Sequence, residues 1–308
     1  MEKKLPSPVT WIGGKSRLLK RILPYLQPVA GEIIFVDVFG GSGVVTLNKA
    51  PHASEVYNDT DSDLVNLFRI LRDPDGAVHL WWELINTPFS REEFGEALQA
   101  AKFSPENPVI RAARFVVRCR QRFGGGQPGQ AMSDTVRCWG TTRKTGRKYL
   151  NDNVSKWLSV MLELPRVHRR LATVVIDSQD AIRCIGQWDT SQTLFYCDPP
   201  YIGHEAYYQG GFDDTAHKRL AEALNGIAGR AVLSYYPHAL VDKYYPKDRW
   251  HRIAIRTIAT ASGNRKHDPG DTTIQAARPC QYRTELVLMN FDPRSRRRLG
   301  HSVRGKSA

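Results

Sequence analysis

The chain has 308 residues, of which 41% are hydrophobic and 24% charged, enough for one large domain with an insertion or for two domains. No apolar run is long enough to span a bilayer and none follows the N-terminal lysines, so neither a membrane nor a secreted protein is expected. Five cysteines, an odd number without a Cys-x-x-Cys pair, argue against a disulfide framework or a zinc site and predict reduced thiols in a cytoplasm.

Residues 15–26 carry apolar side chains at 18, 19, 22, 23 and 26, a spacing that predicts a helix ended by Pro28 and Gly31. Just before it stands Trp11-Ile12-Gly13-Gly14-Lys15-Ser16, which is half of a phosphate-binding loop. The glycine that loop needs five residues before Gly14 is Val9, so a nucleoside-triphosphate site is disfavoured. Residues 33–39 then read as a buried strand, followed by Gly40-Gly41-Ser42-Gly43 and a helix over 44–49. Strand, glycine turn and helix make a cofactor-binding unit, because the turn admits close backbone approach and the helix start offers unpaired N–H groups. Thr46 stands where a dinucleotide fingerprint has its third glycine, which disfavours NAD. A second strand over 55–58 ends at Asp59, where an acid commonly holds ribose hydroxyls. Asp61 and Asp63 read as caps of a helix over 64–71.

From residue 73 to 171 the character changes to tryptophan- and arginine-rich helical segments. Within it, residues 102–170 hold fifteen Lys/Arg against four acids, a surplus of +11. The tail from Asp292 adds +5, which leaves the remainder of the chain at −3. A basic module on a near-neutral body is the charge pattern of a nucleic-acid enzyme, although a solvated helical surface can also be basic. Residues 112–119 read as helix, 121–129 as a glycine-rich loop and 141–149 as a basic hairpin turning at Gly146.

The α/β pattern resumes with a strand over 172–176 and Asp180 shortly after it. Next comes Thr193-Leu194-Phe195-Tyr196-Cys197-Asp198-Pro199-Pro200-Tyr201, a buried strand stopped by a carboxylate, two prolines and a tyrosine. An ordinary Asp-Pro turn would look the same. In an open α/β sheet, however, the carboxyl end of a strand is where ligands bind. A helix over 214–224 and strands over 231–234, 252–258 and 284–291 close the body, with a polar, mobile loop expected over 262–279.

In order and spacing, four patches resemble a Dam-type DNA adenine-N6 methyltransferase of the D12 class, alpha group. They are Trp11-Ile12-Gly13-Gly14-Lys15, Asp37-Val38-Phe39-Gly40-Gly41-Ser42-Gly43, Asn58-Asp59-Thr60-Asp61-Ser62-Asp63-Leu64 and Tyr196-Cys197-Asp198-Pro199-Pro200-Tyr201. Arg283-Thr284-Glu285-Leu286-Val287 is a weaker fifth. The resemblance implies a Rossmann-like α/β methyltransferase sheet formed by 1–72 and 172–292, an inserted helical DNA-recognition domain over 73–171 and a disordered basic tail over 293–308. It implies S-adenosylmethionine as cofactor, held by Trp11, Lys15, Phe39, Gly41, Gly43, Asp59 and Asp180. It further implies a monomer acting on double-stranded DNA without a protein partner, with Arg122, Arg137, Arg143 and Arg147 as candidate DNA contacts.

The chemistry fits the Asp-Pro-Pro-Tyr motif. Adenine's exocyclic nitrogen is a weak nucleophile because its lone pair is delocalised into the ring. The Asp198 carboxylate and the Pro199 carbonyl can accept its N–H groups, and the carboxylate stabilises the positive charge that develops on methylation. Pro200 stiffens the turn, and Tyr201 is expected to stack on an adenine rotated out of the duplex. Two alternatives stay open on sequence: an RNA or protein methyltransferase of the same fold, and a DNA-binding protein with a decayed catalytic body.

Overall fold

Five short strands form the parallel part of the sheet: β1 (Ile34–Asp37), β2 (Ser54–Asn58), β3 (Val174–Asp177), β4 (Thr193–Cys197) and β5 (Arg230–Tyr235). Two more, β6 (His251–Ile258) and β7 (Tyr282–Met289), complete it as an antiparallel pair, giving the order β3-β2-β1-β4-β5-β7-β6. The computed structural model describes residues 4–11, 13–101, 107–123, 138–145, 149–203, 212–258 and 282–295. The loop expected over 262–279 and nearly all of the tail lie outside the described residues.

Strand β4 is buried at every position, as its unbroken apolar run predicts. Its side chains alternate between two cores. Phe195 and Cys197 join Val36 and Val56 beneath α9 (Ala181–Trp188), α10 (Asp214–Gly226) and α11 (Ala239–Tyr244). Leu194 and Tyr196 join Phe35 on the opposite face, against Leu18, Leu19 and Ile22. The segment 15–26 is not the single helix its spacing suggests. It breaks into a 3-10 turn (Lys15–Arg17), α1 (Leu19–Ile22) and a second 3-10 turn (Leu23–Tyr25). Pro24 explains why α1 stops at Ile22, since it lacks an N–H and its ring collides with the carbonyl one turn earlier.

Helix α2 (Val44–Asn48) follows β1, and α3 (Ser62–Arg72), α4 (Pro74–Asn86), α5 (Arg91–Ala100), α6 (Pro108–Arg120), α7 (Asp152–Met161) and α8 (Leu164–Leu171) follow β2. Leu80, Phe115, Trp157 and Leu164 share one apolar core with Phe68 of α3 and Tyr57 of β2. The helices after residue 73 are therefore packed onto the sheet rather than tethered beside it. Much of their positive charge is also spent internally. Arg111 and Arg118 both pair with Asp63, Arg170 with Glu55, Arg166 with Glu163 and Lys156 with Asp152. Arg120 donates to the carbonyls of Ser7 and Pro8.

Between residues 138 and 151 the described residues form no strand. The turn of the expected hairpin at Gly146 lies outside the described residues; beside it Thr145 and Asn151 form one isolated bridge, and Asp152 donates to the Lys144 carbonyl at 3.0 Å. Asn151 instead caps α7.

Candidate active site

Strand order reverses between the paired strands β1 and β4, so the loops that leave their carboxyl ends run to opposite faces of the sheet and leave a crevice. A cavity of about 1130 Å³ opens there, lined by the loops that follow β1, β2, β3 and β4.

The floor is the glycine turn after β1. Gly41 and Gly43 adopt φ of 47° and 66°, left-handed values that side-chain-bearing residues rarely take. A Cβ on Gly43 would sit 2.4 Å from the Phe68 ring, and one on Gly41 3.2 Å from the Trp11 indole. Trp11 is in turn edged by Phe115 of α6, with ring centroids 6.1 Å apart. Phe39 lines the cavity with its ring against Phe212.

Asp59 closes the end of β2. One of its oxygens accepts the Gly41 N–H at 2.8 Å and the other the Asp61 N–H at 2.8 Å. Burial raises its carboxyl to about 6 against the pull of these backbone donors. Asp61 caps α3 through the N–H groups of Asp63 and Leu64, as expected, whereas the Asp63 carboxylate, also expected to cap, pairs with Arg111 and Arg118. Asp180 lines the cavity too, and its Oδ1 caps α9 by accepting from Ile182 and Arg183.

The remaining wall holds Asp198. Its Oδ2 accepts from the Lys15 ammonium at 2.6 Å, while Oδ1 is buried and has no hydrogen-bond partner among the described residues. Burial pushes this carboxyl up to about 6, opposed by the Lys15 charge and reinforced by Glu285. Lys15 is 4% exposed, also lies 3.4 Å from Glu285 Oε1, and donates to the Gly13 carbonyl. Pro199 is buried behind the carboxylate, and Pro200 lines the cavity.

Tyr201 is not the open platform its motif suggests. It is 6% exposed, its hydroxyl donates to Glu285 Oε1 at 2.6 Å, and its ring meets Tyr236 edge-on with centroids 4.4 Å apart. The Lys15 ammonium lies 5.0 Å from its ring centre. In this arrangement the phenol is a brace that ties the strand end to β7.

Two acids of this site went unassigned on sequence. Glu285 stands in a noted patch, but only the pairing of β7 with β5 brings it to Tyr201. Asp37, at the end of β1, accepts from the Thr46 hydroxyl through Oδ2, and burial raises it to about 7. Its Oδ1 is buried without a hydrogen-bond partner among the described residues, on the cavity wall. The signal was available in part: an acid ending the strand before a glycine turn faces whatever the turn holds.

Of the candidate DNA contacts, Arg143 is exposed and Arg122 half-buried in a bridge to Trp139. Arg137 and Arg147 lie outside the described residues. Among the described residues no His/Cys/Asp/Glu group could hold a metal ion, and no helix is long and apolar enough to cross a membrane.

No curated protein matches the sequence. Among solved structures, the rRNA methyltransferase AviRa from Streptomyces viridochromogenes is similar over 88% of this chain and 83% of its own, at 13% identity and a TM-score of 0.34. A likeness that remote bears on no assignment here. The family model of D12 class N6 adenine-specific DNA methyltransferases matches residues 11–257. That span runs from the tryptophan at the cavity wall to the end of β6 and contains the glycine turn and Asp198. The chain belongs to this family and is an adenine-specific DNA methyltransferase with the corresponding α/β fold.

Proposed function

We propose that the protein is a Dam-type, site-specific methyltransferase that moves a methyl group from S-adenosylmethionine to the N6 nitrogen of an adenine swung out of duplex DNA. The observation that carries this reading is Asp198 Oδ1, a buried acceptor without a partner on the wall of a cavity large enough for two ligands. The cavity also suits the cofactor. Seven aspartates and three cations line it, and a negative surplus favours a ligand of net positive charge.

Bound there, the cofactor supplies an electrophilic methyl group on a sulfonium. Asp59 would take the ribose hydroxyls on the lone pairs its backbone donors leave open, and Asp37 Oδ1 the ammonium of the methionine part. Trp11 and Phe39 cover the ligand, while the turn at Gly41 and Gly43 lets it approach the backbone. Asp180 sits toward the adenine end. Asp198 Oδ1 and the Pro199 carbonyl accept the two N–H groups of the target amine, which draws its lone pair out of conjugation. Asp198 then stabilises the charge that forms on the nitrogen and accepts the proton it sheds. Lys15 keeps that carboxylate ionised before the substrate arrives. Tyr201, held by Glu285, borders the place of the base, and Arg122, Arg137, Arg143 and Arg147 contribute to DNA binding.

The test is product analysis. Duplex DNA incubated with the protein and isotopically labelled S-adenosylmethionine, then digested to nucleosides, should carry label in N6-methyladenine. Label confined to methylcytosine, or methylation of RNA alone, contradicts the reading.

A further inference from the structure

Strand β7 reaches the site through Glu285, and the residue two positions before it is Arg283. Glu285 lies opposite Ile255 and Arg283 opposite Thr257, whereas Arg256 lies opposite Thr284. Side chains alternate along a strand and directly opposed residues share a face. Arg283 is therefore on the face of the sheet that carries Glu285, one step farther out, and Arg256 is on the other face. Glu285 is buried and Arg283 exposed, so the strand leaves the protein interior between them.

Arg283 is also connected to the site sideways. Its guanidinium carbon lies 5.8 Å from the centre of the Tyr236 ring, and Tyr236 meets Tyr201 at 4.4 Å. A cation, then two aromatic rings, leads inward to the Asp-Pro-Pro-Tyr turn. Lys15, the cation nearest the reacting carboxylate, is already neutralised by Asp198 and Glu285, and Arg256, on the other face of the sheet, lies over the Tyr282 ring at 3.9 Å. No carboxylate pairs with Arg283 among the described residues.

We infer that Arg283 binds a DNA backbone phosphate flanking the target adenine, at the rim of the active site. The inference rests on the proposal that Asp198 receives an adenine swung out of the duplex. A base that enters the cavity brings its neutral sugar and the adjoining phosphodiesters to the rim, and each phosphodiester is an anion. An arginine laid over an aromatic ring keeps its in-plane N–H donors free, and their fork matches two phosphate oxygens. The contact positions the strand and reads no sequence. It lies outside the basic stretch 102–170, where much of the charge is paired internally.

The test is the salt dependence of binding to an adenine-containing duplex that the wild-type protein methylates, followed by fluorescence anisotropy across a potassium chloride series. Each phosphate contact contributes about 0.9 to the slope of log K against log salt. Arg283→Gln should flatten the slope by that amount, Arg283→Lys should retain it, and Arg256→Gln, on the opposite face, should leave it unchanged. Calorimetric binding of the cofactor analogue sinefungin should be the same in all variants, which shows the fold intact. A wild-type slope in Arg283→Gln, or an equal loss in Arg256→Gln, overturns the inference. If the wild-type protein methylates no duplex at all, the underlying adenine reading fails first.

Discussion

Lys15 and Asp198, separated by 183 positions in the chain, meet at 2.6 Å across the mouth of the cavity. The lysine comes from the turn before α1 and the carboxylate from the end of β4, so the pair clasps the N-terminal segment to the sheet. It also fixes the charge state of the acid on which the chemistry depends. Removing one partner of a buried pair strands the other charge, which costs about 3–5 kcal/mol. Lys15→Met should lower stability in chemical denaturation by an amount of that order. It should also shift the acid limb of the rate profile to higher pH. An unchanged limb would show that Lys15 does not govern Asp198.

The pH dependence follows from Asp198 and Asp59, both raised to about 6 by burial. The reaction needs Asp198 ionised, so kcat/KM should rise with pH and reach half its plateau near pH 6. A bound cationic donor favours the ionised form, so the limb of kcat at saturating cofactor should lie lower. Stability runs the other way. Unfolded aspartates titrate near 3.9, so with Asp37 raised to about 7 as well the folded chain holds extra protons between about pH 4 and 7 and loses stability as pH rises through that window. Initial rates and thermal unfolding over pH 4–8 check both signs.

Asp59→Ala should weaken cofactor binding before it affects anything else. It removes the charged acceptor proposed for the ribose and frees the Gly41 N–H that holds the turn in place. Hydrogen bonds to a charged group contribute about 1.5–3 kcal/mol, a 10- to 150-fold rise in the Kd measured by calorimetry. An unchanged Kd would remove Asp59 from the cofactor site.

Gly43→Ala tests the turn itself. Its φ of 66° is strained for alanine, and the added methyl would have to occupy a point 2.4 Å from the Phe68 ring. Backbone strain of about 1–2 kcal/mol and a clash of about 1–3 kcal/mol should add. A thermal midpoint within a degree of wild type would contradict this.

Tyr201 separates two roles. Tyr201→Phe deletes the bond to Glu285 but keeps the ring, and Tyr201→Ala deletes both. If the phenol is mainly a brace, the two variants should lose most of their kcat alike. If the ring supports the base, Phe should retain activity that Ala lacks. The burial of Tyr201 predicts the first pattern, read from single-turnover rates.

The parts of this molecule legible in its sequence are those whose signals are local. The strand ending at Asp198, the glycine turn at 40–43 and the cap at Asp61 each depend on a few consecutive residues, and the structure places them as expected. What escaped depends on partners distant in the chain. Nothing near Arg118 or Arg120 announces that their charges are spent on Asp63 and on the carbonyls of Ser7 and Pro8. Nor could the sequence show that Tyr201 would be tied down by Glu285, 84 positions away. The helical spacing of 15–26 was real, but Pro24 stops α1 at Ile22.

The central claim is that Asp198 is the acceptor for the target amine, and one measurement addresses it directly. Asp198→Asn keeps the size of the side chain and replaces one acceptor oxygen by a donor, which removes the charge that stabilises the reacting nitrogen. Single-turnover methyl transfer to duplex DNA should fall at least 10²- to 10³-fold, the scale of removing one preorganised electrostatic group, while the cofactor Kd stays within a few-fold. Transfer to adenine at the wild-type rate by Asp198→Asn would contradict the account.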